Sequence, residues 1–277
     1  MYGSLILVPT PIGNLGDISP RAADALKEAD FIAAEDTRVS IKLLNHLGIK
    51  KQLVSYHENN KLKSGPQILE RLQNGETCAL VTDAGTPAIS DPGEDLVRLC
   101  AQNGVTVTAI PGPCAAITAL AISGLPTGRF TFEGFLSINK RSRREHLEGL
   151  KKEHRTMIFY EAPHKLNATL ADMEKAFGSD RPVTLCRELT KLHEEALRMT
   201  FQEARAYYEE NEPRGEYVLI IQGAPEETDE KPDLDTCVAQ VLKLRQEGLS
   251  LKDAVKQVSR DCGLPKNTLY DAALQAE

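Results

Sequence analysis

The chain has 277 residues, of which 41% are hydrophobic and 26% charged, with a formal net charge of −7. That composition describes an ordinary globular protein with room for about two domains, and its acidic balance argues against a dedicated nucleic-acid binder. No stretch is long and apolar enough to span a membrane, and residues 5–8 lack the length and the basic lead of a signal peptide.

The first ~112 residues alternate strand and helix. A buried strand is expected at 5–8. Ser19 and Pro20 supply an N-cap and a first-turn proline for a helix running to Ala29. A strand at 31–34 is followed by a helix at 39–47 that stops at Gly48. A short strand near Leu53 and Val54 leads to a helix at 62–73, and the next strand is expected at 77–82. Asp91, Pro92 and Glu94 then read as a capping box opening a helix that ends near Gly104. A fifth strand is expected at 105–110. Such alternation implies a mainly parallel sheet covered on both faces. A second alternating unit begins after Gly124, with strands near Phe132 and at 157–160, 183–186 and 217–221. An extra strand or hairpin is expected within 192–201. A polar linker at 223–233 precedes three short helices at 235–246, 250–262 and 266–276. The expected domains are therefore 1–123, 124–224 and 225–277.

Five unusual segments follow the strands of the first unit: "PTPIGNLGD" from Pro9, "EDTR" from Glu35, "SYHENN" from Ser55, "VTDAGTPAISDPG" from Val81 and "PGPCAA" from Pro111. In an open parallel sheet the strands deliver their following loops to one edge, where ligands bind. Taken singly, each loop is explained by turn chemistry; together they concentrate glycine, proline and acid residues at one place. No G-x-G-x-x-G follows the first strand and no G-x-x-x-x-G-K-[ST] is present, which argues against a dinucleotide or triphosphate cradle. The six cysteines have no C-x-x-C spacing and read as buried reduced thiols, which fits the cytosol. The histidines form no metal-binding cluster, so no metal is expected. Residues 140–155 hold Lys140, Arg141, Arg143, Arg144, Lys151, Lys152 and Arg155 against Glu145, Glu148 and Glu153. This is either a solvated helix face or a phosphate-contact patch.

The segments "VPTPIGNLGDIS", "AAEDTR", "SYHENN", "VTDAGTPAISDPG", "IPGPCAAITAL" and "SGLPTGRF" closely resemble the tetrapyrrole-methylase-like (class III) S-adenosylmethionine methyltransferases. The resemblance continues through "MIFYEAPHKL", "CRELTK" and "GEYVLIIQG" to the C-terminal helices, and so covers essentially the whole chain. Within that family it points to the bacterial enzymes that 2′-O-methylate a cytidine in the decoding centre of small-subunit (16S) ribosomal RNA. It implies a tetrapyrrole-methylase-like fold of two α/β domains, with S-adenosylmethionine in the cleft between them and a small C-terminal helical module. It also implies a cytoplasmic homodimer whose partner is 16S RNA or the small ribosomal subunit. Carried over by motif, Ala84, Gly85, Thr86, Cys114, Ala115, Phe159, Tyr160, Glu161, Glu188 and Gly223 would approach the cofactor. The first loop, "PTPIGNLGD", departs from the glycine-rich loop of the porphyrin-type enzymes, which implies a different substrate on the same cofactor.

Methyl transfer to a 2′-hydroxyl needs a group to take the hydroxyl proton, and a carboxylate, histidine or lysine can serve. Glu35 and Asp36 are the candidate bases or orienters, with Arg38 as a clamp; Asn14, His57 and Asp83 are further candidates. The competing reading has Asp36 capping the following helix and Glu35 paired with Arg38. Asn14, His57, Arg141, Arg143 and Arg144 are the candidate RNA contacts. Two other functions stay open at this point: methylation of a small tetrapyrrole, and DNA reading by 250–274 as a helix-turn-helix with "GLPKN" as its turn. The mixed charge of that segment weakens the second.

Overall fold

Side chains in an extended strand alternate between the two faces of a sheet, so a strand buried on both faces must be apolar at every position. The run "FIAA" of β2 (Phe31–Ala34) and the run "CALV" of β4 (Cys78–Val81) satisfy this, and all eight residues are buried. They sit centrally in a computed structural model that describes residues 2–225 and 233–276. Most of the expected linker, at 226–232, lies outside the described residues.

With β1 (Ser4–Leu7), β3 (Gln52–Ser55) and β5 (Thr106–Ala109), these strands form a five-stranded sheet in the order β3-β2-β4-β1-β5. Every pairing in it is parallel. Phe31 and Ala33 face a core shared with Ile68, Leu72 and Leu96. These come from α3 (Lys61–Gln73) and α4 (Glu94–Gln102). Ile32 and Ala34 face the other core, with Ala22 and Leu26 of α1 (Pro20–Glu28) and Leu44 of α2 (Thr37–His46). The Ser19 cap holds as read: its hydroxyl accepts from Ala22 N at 3.1 Å. The Asp91 cap does not. Helix α4 starts at Glu94 behind Gly93, whose φ of 146° supplies the turn, and no side chain caps it.

The second sheet has the order β6-β7-β10-β8-β9. Its strands are β6 (Phe130–Phe135), β7 (Thr156–Glu161), β8 (Pro182–Arg187), β9 (Glu195–Thr200) and β10 (Tyr217–Ile221). Only β6 and β7 are parallel; β7-β10, β10-β8 and β8-β9 are antiparallel. One face packs on α6 (Lys140–Gly149), α7 (Leu166–Phe177) and α8 (Phe201–Glu210) through Leu147, Leu170 and Phe201. The other face is covered by α5 (Ala115–Ile122), whose Ala116, Ala119 and Leu120 meet Ile158, Cys186, Val218 and Ile220. Helix α5 follows the first sheet in sequence but packs on the second. Its sequence, "AAITALAI", is apolar on every side and shows no helical period.

Residues 1–224 form one compact unit and 225–277 another. The second consists of α9 (Leu234–Gln246), α10 (Leu251–Cys262) and α11 (Lys266–Gln275) around Val241, Val255, Val258 and Leu269. Ser250 caps α10 by accepting from Asp253 N, and Gly263 ends it in the left-handed conformation.

Candidate functional site

Neighbouring strands β1 and β4 send their chains in opposite directions across the first sheet, which opens a crevice above their C-terminal ends. The loops after β1 and β4 are joined there. Thr10 and Gly85 exchange two backbone hydrogen bonds, 2.9 and 3.0 Å long. Gly85 has a φ of 86°, a conformation that strains any residue with a Cβ. Thr86 Oγ1 donates to Pro113 O at 2.8 Å, which ties in the loop after β5.

These loops form one wall of a cavity of about 340 Å³. From the first sheet it is lined by Ile12, Glu35, Asp83, Ala84, Gly85 and Thr86, and further along the loops by Asp91, Cys114 and Ala115. The second sheet contributes Phe135, Tyr160, Glu161, Glu188, Leu189 and Val218. Tyr160 is fixed at the join: its hydroxyl accepts from Ala116 N at 3.1 Å, at the start of α5. The rings of Phe132 and Phe135 meet it edge-on at 5.2 and 5.4 Å.

Eight of the ten residues expected at the cofactor therefore line the cavity. Phe159 and Gly223 do not. Phe159 alternates away from Tyr160 and lies fully buried in the core under α6 and α7. Gly223 is at the far end of β10. That strand runs antiparallel to β7, with Tyr217 opposite Glu161 and Ile221 opposite Met157, so its start faces the cavity and its end points away. A Cβ at Gly223 would lie 2.0 Å from His154 O, which makes this glycine a close-approach position.

The loops of the first sheet bring three of the cavity's carboxylates, Glu35, Asp83 and Asp91. Glu35 and Asp83 are linked through backbone, since Asp36 N donates to Asp83 Oδ1 at 3.1 Å and Asp83 N to Glu35 Oε2 at 3.4 Å. Burial raises the pKa of Glu35 and of Asp83. Asp91 is pushed up to about 7, first by burial and then by the charges of Glu35 and Asp83. Asp91, expected as a helix cap, lines the cavity instead. The signal was the second acid in a loop whose left-handed residues, Ala88 and Ser90, turn it inward.

Asp36 is corrected as a candidate base, and Arg38 clamps its carboxylate outside the cavity lining. Asp36 caps α2 by accepting from Arg38 N at 2.8 Å, and its carboxylate grips the Arg38 guanidinium at 2.6 Å. Those bonds hold its pKa near 2, which makes it a very weak base at neutral pH. Arg38 is thus engaged with Asp36, not with Glu35. Asn14 is exposed and caps a single turn of 3-10 helix by accepting from Gly16 N. His57 lies outside the cavity lining but close enough for its charge to act on Glu35.

Of the candidate RNA contacts on α6, Arg143 is corrected. It is only 13% exposed and holds Asp172 of α7 at 2.6 Å, which makes it a structural tie. Arg141 and Arg144 are 88% and 61% exposed. Among the described residues no group of acids, histidines and cysteines has the geometry of a metal site.

Residues 4–205 match the family of tetrapyrrole (corrin/porphyrin) methylases, and residues 232–277 match the RsmI C-terminal HTH domain. The chain belongs to the tetrapyrrole methylase family. Among its relatives is a ribosomal RNA small subunit methyltransferase I of Synechocystis, 46% identical with 99% of each chain covered. The protein of the same name from Halalkalibacterium halodurans is 48% identical over 97% of this chain and 94% of its own. A crystal structure of diphthine synthase shares the fold at a TM-score of 0.61 and 14% identity, covering 80% of this chain and 90% of that one.

The cavity fits the family's cofactor, S-adenosylmethionine. Its acids suit a cationic sulfonium and ammonium. Ile12, Leu189, Val218 and the ring of Tyr160 offer an apolar wall to a planar base. Ala84, Gly85, Thr86, Cys114 and Ala115 would hold the cofactor from the first sheet, and Tyr160, Glu161 and Glu188 from the second.

Proposed function

We propose that the acid-lined cavity is where a cytidine ribose of small-subunit (16S) ribosomal RNA, in the decoding centre, meets its methyl donor. The protein is an S-adenosylmethionine-dependent ribosomal RNA 2′-O-methyltransferase. The observation that carries this reading is the full-length likeness, at 46–48% identity, to relatives named ribosomal RNA small subunit methyltransferase I. Methylation of a small tetrapyrrole is the weaker reading, since solved tetrapyrrole enzymes share only 16–19% identity and the fold.

When bound, S-adenosylmethionine supplies a methyl group on a cationic sulfur that leaves as a neutral thioether. The chain's residues do the rest. Glu35 and Asp83 place negative charge beside the cation. Asp91 takes the ribose proton, because a carboxyl ionising near neutrality combines an available base form with a useful proton affinity. The Thr10–Gly85 bridge and the Tyr160 hydrogen bond hold the two walls in register, and positioning of this kind is worth roughly 7–11 kcal/mol at best.

Arg141 and Arg144 contact RNA phosphates, and the helical module assists docking on the subunit. Two copies of the chain associate through the edge strand β6 and the segment after it, which leave Phe130, Phe132, Phe135 and Ile138 at 39%, 37%, 57% and 78% exposure. The protein works in the cytoplasm, in keeping with six free cysteines.

The test is transfer of labelled methyl to small subunits from a strain lacking this gene, with mapping of the product. Methylation of a decoding-centre cytidine 2′-oxygen is expected. No transfer, or transfer to uroporphyrinogen alone, would sink the reading. In single turnover, Asp91→Asn should slow transfer roughly 100- to 10,000-fold. Wild-type rates in that variant would remove Asp91 as the base.

A further inference from the structure

A second cavity, of about 490 Å³, opens beside the first on the second sheet. Glu188 and Tyr217 line both. Its floor is aromatic. Tyr208 is 5% exposed and lies edge-on between Tyr207, at 4.9 Å, and Tyr217, at 5.9 Å. Tyr217 Oη accepts from Arg214 N at 3.2 Å. Tyr208 Oη is buried beside the Tyr217 hydroxyl but makes no hydrogen bond of good geometry to it. A buried hydroxyl left without a partner destabilises a fold, so its retention at the base of a cavity points to a ligand atom that satisfies it.

The partition between the two cavities is built with care. Glu188 and Thr190 both adopt left-handed backbone, at φ of 50° and 64°. Lys191 Nζ holds Glu188 Oε1 at 2.9 Å. Gly215 faces that carboxylate, and a Cβ there would lie 2.4 Å from Glu188 Oε1. Backbone strain of this kind persists where the surroundings enforce it, and it clusters at functional sites.

The rim is polar, but its arginines are taken. Arg187 pairs with Glu195 at 2.5 Å and Arg214 with Glu212 at 3.1 Å. Both rim guanidinium groups already face a carboxylate. Asn211 donates its amide to Tyr207 O at 2.8 Å, which leaves its side-chain oxygen as an acceptor, and Glu210 lies beside it on the rim. The set is a floor of aromatic rings packed edge to face, one hydroxyl without a well-aligned partner, and acceptors above it. That matches a neutral planar ring bearing an amino group and ring acceptors.

We propose that the second cavity receives the cytosine base of the target nucleotide, swung out of the RNA, while its ribose rests at the Glu188–Tyr217 partition with the 2′-oxygen toward Asp91. Tyr208 donates to a ring acceptor of the base. Asn211 and Glu210 accept from the exocyclic amino group, where uracil would present a carbonyl oxygen and be repelled. This assignment rests on the reading that a cytidine ribose is the methyl acceptor.

The experiment uses the full-length protein and small subunits reconstituted with cytidine or uridine at the mapped position. Single-turnover methylation is measured for the wild type, Tyr208→Phe and Glu210→Ala, with S-adenosylmethionine affinity by calorimetry and melting temperature alongside. The wild type should favour cytidine by roughly tenfold or more. Both variants should narrow that ratio several-fold while cofactor affinity holds, and Tyr208→Phe should melt no lower than the wild type. Glu210 is exposed, so its variant reports even if the tyrosine change perturbs folding. Equal rates on cytidine and uridine in the wild type, or an unchanged ratio in both variants, would overturn the assignment while leaving the function intact. If the wild type methylates neither subunit, the functional reading falls and takes this one with it.

Discussion

The two sheets of residues 1–224 hold the same number of strands and differ in direction. The first is all parallel, so every loop after a strand reaches the same edge. The second is mostly antiparallel, so the loop after one strand and the loop before the next share an edge. The cavity draws on both. From the first sheet it takes residues that follow strands, such as Glu35 and Gly85. From the second it takes residues at the end of β7 and at the start of β10, such as Glu161 and Tyr217. A rule that locates a site in one sheet misplaces it in the other.

Two glycines make the sharpest contrast. Gly85→Val forces a β-branched residue into left-handed backbone and points its methyl groups toward Ile12 and Pro113. Cofactor affinity, read by calorimetry, should fall roughly 100-fold or more. Gly223→Ala places a Cβ against His154 O and should lower the melting temperature while leaving the affinity of the folded protein unchanged. Equal affinity losses in the two would erase the distinction.

Asp91 gives the next largest effect. Its folded-state pKa, about 7, lies above its ordinary value of 3.8. Between those values the native state keeps a proton that the unfolded chain has lost, so stability falls as pH rises through the window and levels off above 7. Asp91→Asn should remove much of that slope. At pH 8 the variant should be more stable than the wild type by roughly 2–4 kcal/mol, and at pH 4 close to it. Chemical denaturation at the two pH values checks this. A cation bound beside Asp91 lowers its pKa, so binding of S-adenosylmethionine near pH 7 should release protons, measurable by calorimetry in buffers of different ionisation enthalpy.

Helix α6 extends the comparison into the second sheet. Arg143→Glu breaks a nearly buried pair with Asp172 and should cost about 3 kcal/mol in stability. Arg141→Glu and Arg144→Glu lie on the surface and should change stability by no more than about 0.5 kcal/mol. Their effect should appear as weaker RNA binding with a shallower salt dependence. If RNA affinity is unmoved, α6 is only a solvated face.

Much of this was legible in the residues. Runs such as "FIAA" and "CALV" announce strands buried on both faces, and the Ser19–Pro20 pair announces α1. The loops carrying Ala84, Gly85 and Cys114 could be gathered because parallel strands share an edge. Three things could not be read. Strand direction in the second sheet is set by tertiary pairing, and with it went Gly223. Helix α5 is apolar all round, so it shows no period, and nothing in its sequence says which sheet it will cover. Asp91 and Asp36 both stand before a helix with cap-forming chemistry. The backbone decides which one caps, and a glycine at 93 relieved Asp91 of that task.

The seat of α5 bears on how this molecule can be divided. The chain's natural cut, after Ser123, would leave the helix on the fragment that does not bury it. Ala116, Ala119 and Leu120 would then face water, and the second sheet would expose Ile158, Val218 and Ile220 in turn. Neither half is a free-standing building block. Recombination that swaps one half for a distant relative's must carry α5 with its receiving sheet, so the seam that inheritance can tolerate lies before Ala115, inside the loop that lines the cavity.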